Sequence, residues 1–234
     1  MSFIRSNRRR FIDQYAKTKK MWYFSGSTLR LYKVMMPIIS NNIRGRALDA
    51  GCGNQPFRDA IEEVAASYES LDIEKRVPDV TYTGDLQNAS MIPDNSFDSV
   101  VCSEVLEHVP DHNKAISELY RMTKKDGVVI CTVPHLSGLH EEPYDFFRFT
   151  KYGLKFLFEK HGFREVEVIK AGGLVCFLNH LFSLAFIGLF FRLPIVKQFA
   201  FYLNSLFAVI SVWIDETFDR KGTFALGYIV IARK

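Results

Sequence analysis

From residue 46 to 163 the chain alternates short apolar runs with segments whose apolar residues recur at helical spacing, and this rhythm constrains the fold more than any other feature. Residues 47–50, 70–73, 80–83, 97–102 and 128–133 read as strands. A helix is expected from Pro56 and another over 112–122, where Ala115, Ile116, Leu119 and Met122 share one face and Asp111 stands as N-cap. Asp126-Gly127 reads as a turn, 128–133 as a strand buried on both faces, and Thr150 as the cap of a further helix that Gly162 ends. Two late runs, 164–171 and 224–232, complete the strands. Strands separated by helices imply a parallel α/β sheet.

With 234 residues, 48% of them hydrophobic and 24% charged, the chain is long enough for one well-buried α/β domain and leaves no room for a disordered majority. Its net charge of +4 is too small to imply nucleic acid, and no nucleic-acid partner is expected. Seven basic residues nevertheless crowd the first twenty positions: Arg5, Arg8, Arg9, Arg10, Lys17, Lys19 and Lys20. They suit either a solvated helix face or contact with an anionic membrane, worth about 1 kcal/mol per basic residue near such a surface. Cys52, Cys102, Cys131 and Cys176 show neither metal nor disulfide spacing, and no metal ligand is assigned. Buried free thiols and the lack of an apolar stretch after the basic N-terminus set the expectation of a cytoplasmic protein, placed peripherally on the inner face of the membrane.

The most informative segment is Ala47-Leu48-Asp49-Ala50-Gly51-Cys52-Gly53-Asn54-Gln55-Pro56, a strand entering a glycine turn that opens a helix. In an open α/β sheet ligands bind beyond the carboxyl ends of the strands, where this turn lies. Asp49 would repel a pyrophosphate and favour a cationic sulfonium amino acid. Further on, Leu71-Asp72-Ile73-Glu74 ends the second strand with a carboxylate able to accept from both ribose hydroxyls. Gly84-Asp85-Leu86 then offers a carboxylate to an adenine amino group, so that the three sites together form a nucleoside pocket.

Continued through Ile92-Pro93-Asp94-Asn95-Ser96-Phe97-Asp98 and on to Ser103-Glu104-Val105-Leu106-Glu107-His108-Val109, this succession resembles the class I S-adenosylmethionine-dependent methyltransferases, in particular the small-molecule branch called methyltransferase type 11. The likeness covers residues 45–165 and the last strand. It implies a Rossmann-like, doubly wound, seven-stranded and mostly parallel sheet with an antiparallel last strand, and S-adenosyl-L-methionine as cofactor. It also implies cofactor contacts at Asp49, Gly51, Cys52 and Gly53 in the turn, at Asp72 and Ile73 beside the ribose, at Asp85 and Leu86 beside adenine, and at Ser103 on the methionine side. Gln55 departs from the family pattern, which has a third glycine there. Glu107 and His108 read as a structural hydrogen-bonded pair.

Methyl transfer gains most from alignment of donor and acceptor, and a base is optional. The segment 134–150, which leaves the fifth strand at its carboxyl end, mixes aromatic walls with titratable groups. His135 and His140 are the candidate bases, and Tyr144, Asp145 and Arg148 the candidate substrate contacts; Asp145 and Arg148 would otherwise form an ion pair holding the loop. The pattern His140, Pro143, Asp145, Arg148, Thr150, Gly153-Leu154 is similar to methyltransferases of bacterial surface-polysaccharide assembly, which implies a saccharide or lipid-linked saccharide acceptor, with a quinone or other lipid as the alternative. A non-catalytic membrane adaptor on the same fold is the reading from a different class.

Residues 1–44 read as an N-terminal helical segment and 45–234 as the methyltransferase domain, interrupted by an apolar helical insert over 172–222. Residues 171–191 contain no charged side chain, enough to span ~30 Å as a helix. A single crossing conflicts with strands on either side that share one sheet. A hairpin would carry Arg192 and Lys197 to the far face, against the usual bias of basic loops. Asn179, His180 and Ser183 form one polar stripe, and Gln198, Tyr202 and Ser205 another. The expectation is therefore a pair of helices lying in the membrane interface through 172–214, with a homodimer interface or a lid over the acceptor pocket as alternatives.

Overall fold

Seven strands form one sheet in the order β3-β2-β1-β4-β5-β7-β6: β1 is Arg46–Ala50, β2 Ser67–Asp72, β3 Tyr82–Thr83, β4 Phe97–Ser103, β5 Thr123–Pro134, β6 Arg164–Ala171 and β7 Gly227–Arg233. The computed structural model describes residues 6–7, 10–11, 14–15, 18–190, 193, 196–219 and 223–234. Arg5, Arg8, Arg9 and Lys17 of the basic cluster, and Arg192 and Pro194 of the insert, lie outside the described residues. Contacts divide the chain into two compact units, one of residues 1–35 with 170–226 and one of 36–169 with 227–234. Residues 1–35 of the N-terminal segment and the insert, separate in the sequence reading, thus share a unit, while 36–44 go with the sheet.

In the sheet unit β1 pairs in parallel with β2 and β4, β2 with β3, and β4 with β5, while β7 runs antiparallel to β5. That is the mostly parallel doubly wound arrangement expected. The strand order reverses between β1 and β4, and the carboxyl ends of those strands border the crevice such a switch creates. β5 is buried at every position from Gly127 to Pro134, as a continuous apolar run demands. One apolar core joins Leu48, Val100 and Val129 of the strands to Ile116 and Leu119 and to Leu154 and Phe158 of two helices.

Those helices are α3, His112–Met122, and α4, Lys151–Lys160; α1 is Gly26–Asn42 and α2 Arg58–Glu62. Asp111 caps α3 by accepting from Lys114 N at 3.2 Å, Thr150 caps α4 by accepting from Gly153 N at 3.1 Å, and Gly162 follows α4 at φ +96°. Two expectations need correction. The helix placed at Pro56 begins at Arg58, because Gln55 takes a left-handed φ of 56° and its N–H bonds back to Cys52. Asp126-Gly127 does not separate two elements: β5 already starts at Thr123, opposite Phe97, and a register shift absorbs the left-handed Asp126 as an irregularity within the strand.

The helical unit holds two long helices, α5, Leu174–Phe190, and α6, Val196–Phe218, that pack on each other. Most of their inward positions are small or polar, Cys176, Ser183 and Gly188 on α5 and Ala200, Asn204, Ala208, Ser211 and Asp215 on α6, joined by the apolar Ile187 and Val212. Asp215 accepts from the N–H groups of Gly173, Val175 and Cys176 at 2.8–3.0 Å, satisfying the start of α5. Asn179 accepts from Gly26 N at 2.6 Å, His180 meets Ser25 Oγ at 3.0 Å, and Asn204 donates to Phe24 O at 2.7 Å. The stripe of Asn179, His180 and Ser183 is therefore not a wetted edge but the packed side of the helix, whereas Gln198 and Tyr202 of the second stripe do stay exposed. Large apolar side chains point outward instead, among them Leu178, Phe182, Phe199, Leu206, Ile210 and Trp213. Among the described residues, α6 is the one helix long and apolar enough to cross a membrane by length and composition.

Candidate functional site

The turn after β1 is built for a ligand that approaches the main chain. Gly51 sits at φ +75°, where an added Cβ would strike the Val105 side chain, and Gly53 at φ +51°, where an added Cβ would meet nothing within 4 Å. The turn is tied to the end of β2, since Gly51 N and Cys52 N both donate to Leu71 O and Gly53 N donates to Asp72 Oδ2 at 2.7 Å. Asp72 Oδ1 accepts from Glu74 N at 3.2 Å. Parallel pairing of β1 with β2 thus brings Asp49 and Asp72, 23 residues apart, to one edge.

Asp49 is buried, and the only hydrogen bond its side chain makes among the described residues is from Tyr68 Oη at 2.9 Å. Burial pushes its carboxyl up to about 7; the Tyr68 hydrogen bond opposes this and the Asp72 charge adds to it. A carboxylate so placed gains most from a cation brought alongside, which a sulfonium amino acid provides and a pyrophosphate does not. Ile73, beside Asp72, leaves 68% of its surface open and offers an apolar face next to that carboxylate. The open space at Gly53, the cation-seeking Asp49 and the free Ile73 fit S-adenosylmethionine.

Other residues assigned to this site stand differently. Cys52 turns its thiol into an apolar cluster with Val77 and Val80, and burial raises that thiol to about 12, leaving its main chain for a ligand. Leu86 has its side chain in the core, and Asp85 accepts from Gln87 N at 2.8 Å and from its amide Nε2. Ser103 Oγ lies 2.8 Å from Thr132 Oγ1, so its hydroxyl is already engaged across β4 and β5.

Beyond β4 the chain carries two carboxylates three residues apart. Glu104, at a left-handed φ of 55°, accepts from Thr132 Oγ1 at 2.9 Å, and burial raises its carboxyl to about 7. Glu107 is fully buried, and neither carboxylate oxygen has a hydrogen-bond partner; burial, then the Glu104 charge, hold its carboxyl well above the usual range. The hydrogen-bonded Glu107–His108 pair expected from sequence does not form: His108 Nε2 lies 3.7 Å from Glu107 Oε1, while His108 Nδ1 meets Tyr144 O at 2.6 Å. His140 comes to the same place, with Nε2 3.9 Å from Glu107 Oε1, and burial lowers its pKa.

Of the acceptor-side residues, Asp145 and Arg148 are spent on each other in a two-pronged pair of 2.6 and 2.7 Å, and Asp145 also accepts from His140 N at 3.0 Å. They hold the loop rather than reach into open space, and Arg148 holds Asp145 well below the usual carboxylate range. Tyr144 is exposed, and His135 is anchored through Nδ1 to Phe149 O at 2.9 Å, apart from the His108–His140 pair. Sequence reasoning passed over Glu107 as a site residue; the available signal was the Glu104-x-x-Glu107-His108 spacing, which puts both carboxylates at one strand end.

Residues 48–131 match the family model described as a methyltransferase domain. A demethylmenaquinone methyltransferase of Geobacillus sp. (strain WCH70) is 33% identical over 123 residues, 44% of this chain and 53% of that protein. A ubiquinone biosynthesis O-methyltransferase of Actinobacillus pleuropneumoniae is 24% identical over 50% of this chain and 61% of that protein. The chain therefore matches between half and two thirds of the length of these curated relatives. A solved S-adenosylmethionine-dependent methyltransferase from Archaeoglobus fulgidus superposes with a TM-score of 0.60 at 18% identity, over 97% of this chain and 99% of that one. Residues 48–131 thus resemble a methyltransferase domain, and the sheet that carries them has the fold of the class I S-adenosylmethionine-dependent methyltransferases.

Proposed function

We propose that this protein methylates an oxygen of a lipid-like acceptor, taking the methyl group from S-adenosylmethionine. The observation that carries the cofactor half is Asp49, a buried carboxylate beside an open glycine turn and the Asp72 carboxylate. S-adenosylmethionine, when bound, supplies an electrophilic methyl on a positively charged sulfur. Asp49 would favour that charge, Asp72 and Ile73 would hold the ribose side, and Asp85 with the Leu86 main chain would hold the adenine side. The protein's own contribution is alignment and exclusion of water, with the loop 134–150 fixed over the strand ends by the Asp145–Arg148 pair.

The acceptor half rests on two supports. The relatives named above act, by their names, on quinone precursors. The paired helices α5 and α6 turn large apolar side chains outward and polar ones inward, which suits an apolar surrounding and favours contact with a membrane surface. A saccharide carried on a lipid is the second reading, favoured by the exposed rings of Tyr144 and Phe146 at the loop.

The test is calorimetry with S-adenosylhomocysteine followed by incubation with methyl-labelled cofactor. The proposal expects saturable binding and label in the organic extract of membranes. Label in sugar nucleotides instead would replace the acceptor; absence of cofactor binding would leave the membrane-adaptor reading.

A further inference from the structure

Glu107 buries both carboxylate oxygens with no hydrogen-bond partner, although an isolated ionised carboxylate is costly to bury. The two imidazoles that face it do not relieve it. His108 Nδ1 meets the Tyr144 carbonyl at 2.6 Å and His140 Nδ1 the Gly138 carbonyl at 3.2 Å. A carbonyl only accepts, so His108 Nδ1 bears the hydrogen. His140 Nδ1 has two acceptors nearer, Gly138 O and Asp145 Oδ2 at 3.4 Å, than the Arg148 Nη2 donor at 3.5 Å, which favours the same tautomer, and each neutral ring keeps a lone pair on Nε2. Those Nε2 atoms lie 3.7 and 3.9 Å from Glu107 Oε1. Acceptor atoms of three side chains thus lie close together, one ligand atom from each residue within 4.8 Å of the others. A cation bound among them would satisfy all three. Arg148, whose charge acts on Glu107, is committed to Asp145 and to the carbonyls of Gly138 and Phe147.

We propose that Glu107, His108 and His140 bind one divalent transition-metal ion. Ligand atoms ~2.0–2.1 Å from a tetrahedral ion stand roughly 3.3 Å apart, so small side-chain movements close the site. Two imidazoles and one carboxylate select zinc, cobalt, iron or manganese over magnesium or calcium. His140 is also oriented from behind: Asp145 Oδ2 lies 3.4 Å from its Nδ1 and accepts from its main-chain N–H. Three protein ligands leave positions open, and an alcohol or phenol oxygen held there would lose its proton more readily than in water. Metal uptake is read without any methyl transfer, so the site stands or falls independently of the function proposed above.

The experiment is a titration of untagged, metal-stripped full-length protein with Co²⁺, read by its visible ligand-field absorption. The expected result is one equivalent bound and displaced by Zn²⁺, with affinity lowered at least tenfold in His108→Ala and in His140→Ala and unchanged in His161→Ala, whose imidazole lies outside the cluster. Near-ultraviolet circular dichroism confirms that each variant is folded. If the variants do not fold, X-ray absorption of the zinc-loaded native protein decides, a shell containing two imidazoles being expected. No band at one equivalent, equal affinity in the folded histidine variants, or a zinc shell without imidazole overturns the proposal.

Discussion

The two units of this molecule differ in what they leave on their surface. In the sheet unit Leu48, Val100, Val129 and Ile116 lie inside, and Asp49, Asp72 and Asp85 gather at the strand ends. In the helical unit Asn204, Ser183, Ser211 and Asp215 lie inside among the apolar Phe24, Leu29, Ile187 and Val212, and Leu206, Phe207, Ile210 and Trp213 lie outside. The first is what a chain does in water, where apolar burial drives folding. The second leaves large apolar side chains outside as well as inside, a surface that calls for something to cover it. One chain thus pairs a water-adapted nucleoside site with a pair of helices whose outer surface water does not favour.

The comparison breaks most visibly at Asp72. Asp72→Ala removes the acceptor for Gly53 N and Glu74 N together with the proposed ribose contact. With hydrogen bonds to charged groups worth ~1.5–3 kcal/mol, S-adenosylhomocysteine affinity should fall roughly 10- to 150-fold by calorimetry, and vesicle binding should not change. The mirror experiment is Phe199→Glu with Leu206→Glu. Charges on the outward face should weaken binding to anionic vesicles more than about tenfold and leave cofactor affinity intact, because carboxylates at a lipid surface must be desolvated. In the native protein Trp213, 62% exposed, should shift its fluorescence to the blue on vesicles while the buried Trp22 does not contribute. Unchanged vesicle binding in the double variant would sink the membrane reading.

A smaller effect concerns pH. Because the Asp49 carboxyl is raised to about 7, the protein without cofactor holds a proton there that the unfolded chain loses in the ordinary carboxylate range. Its contribution to stability is therefore present at low pH and declines as pH rises toward 7. Cofactor affinity runs the other way, rising up to about tenfold from about pH 6 to about pH 8 as the carboxylate forms, and Asp49→Asn should flatten that profile. The smallest change expected is Asp215→Asn, which weakens the cap of α5; a loss of about 1–2 kcal/mol should appear as a lower melting temperature with cofactor affinity unchanged.

Much of the sheet was legible because its signals are local. A strand followed by Gly51 and Gly53, a cap at Asp111 and another at Thr150 each need only a few neighbours to take effect, and all appear where the chain announces them. Gln55 and Asp126 were less legible, since a left-handed φ at a residue other than glycine is imposed by what the surrounding chain requires. Tyr144, Asp145 and Arg148 showed their chemistry but not their use: whether a charged pair reads a substrate or braces a loop depends on a separation that spacing does not give.

From residue order alone follow the parallel sheet, the acidic nucleoside edge and the presence of long apolar helices, because alternation, turn chemistry and apolar length act over short stretches of chain. Only the tertiary structure decided which way those helices face, with Asn179, His180 and Ser183 turned inward. It alone placed His140 against Glu107 and His108, 33 and 32 residues earlier in the chain. Both depend on contacts between distant segments, whose free energy is set by which groups meet and what solvent they leave, and no local pattern encodes that.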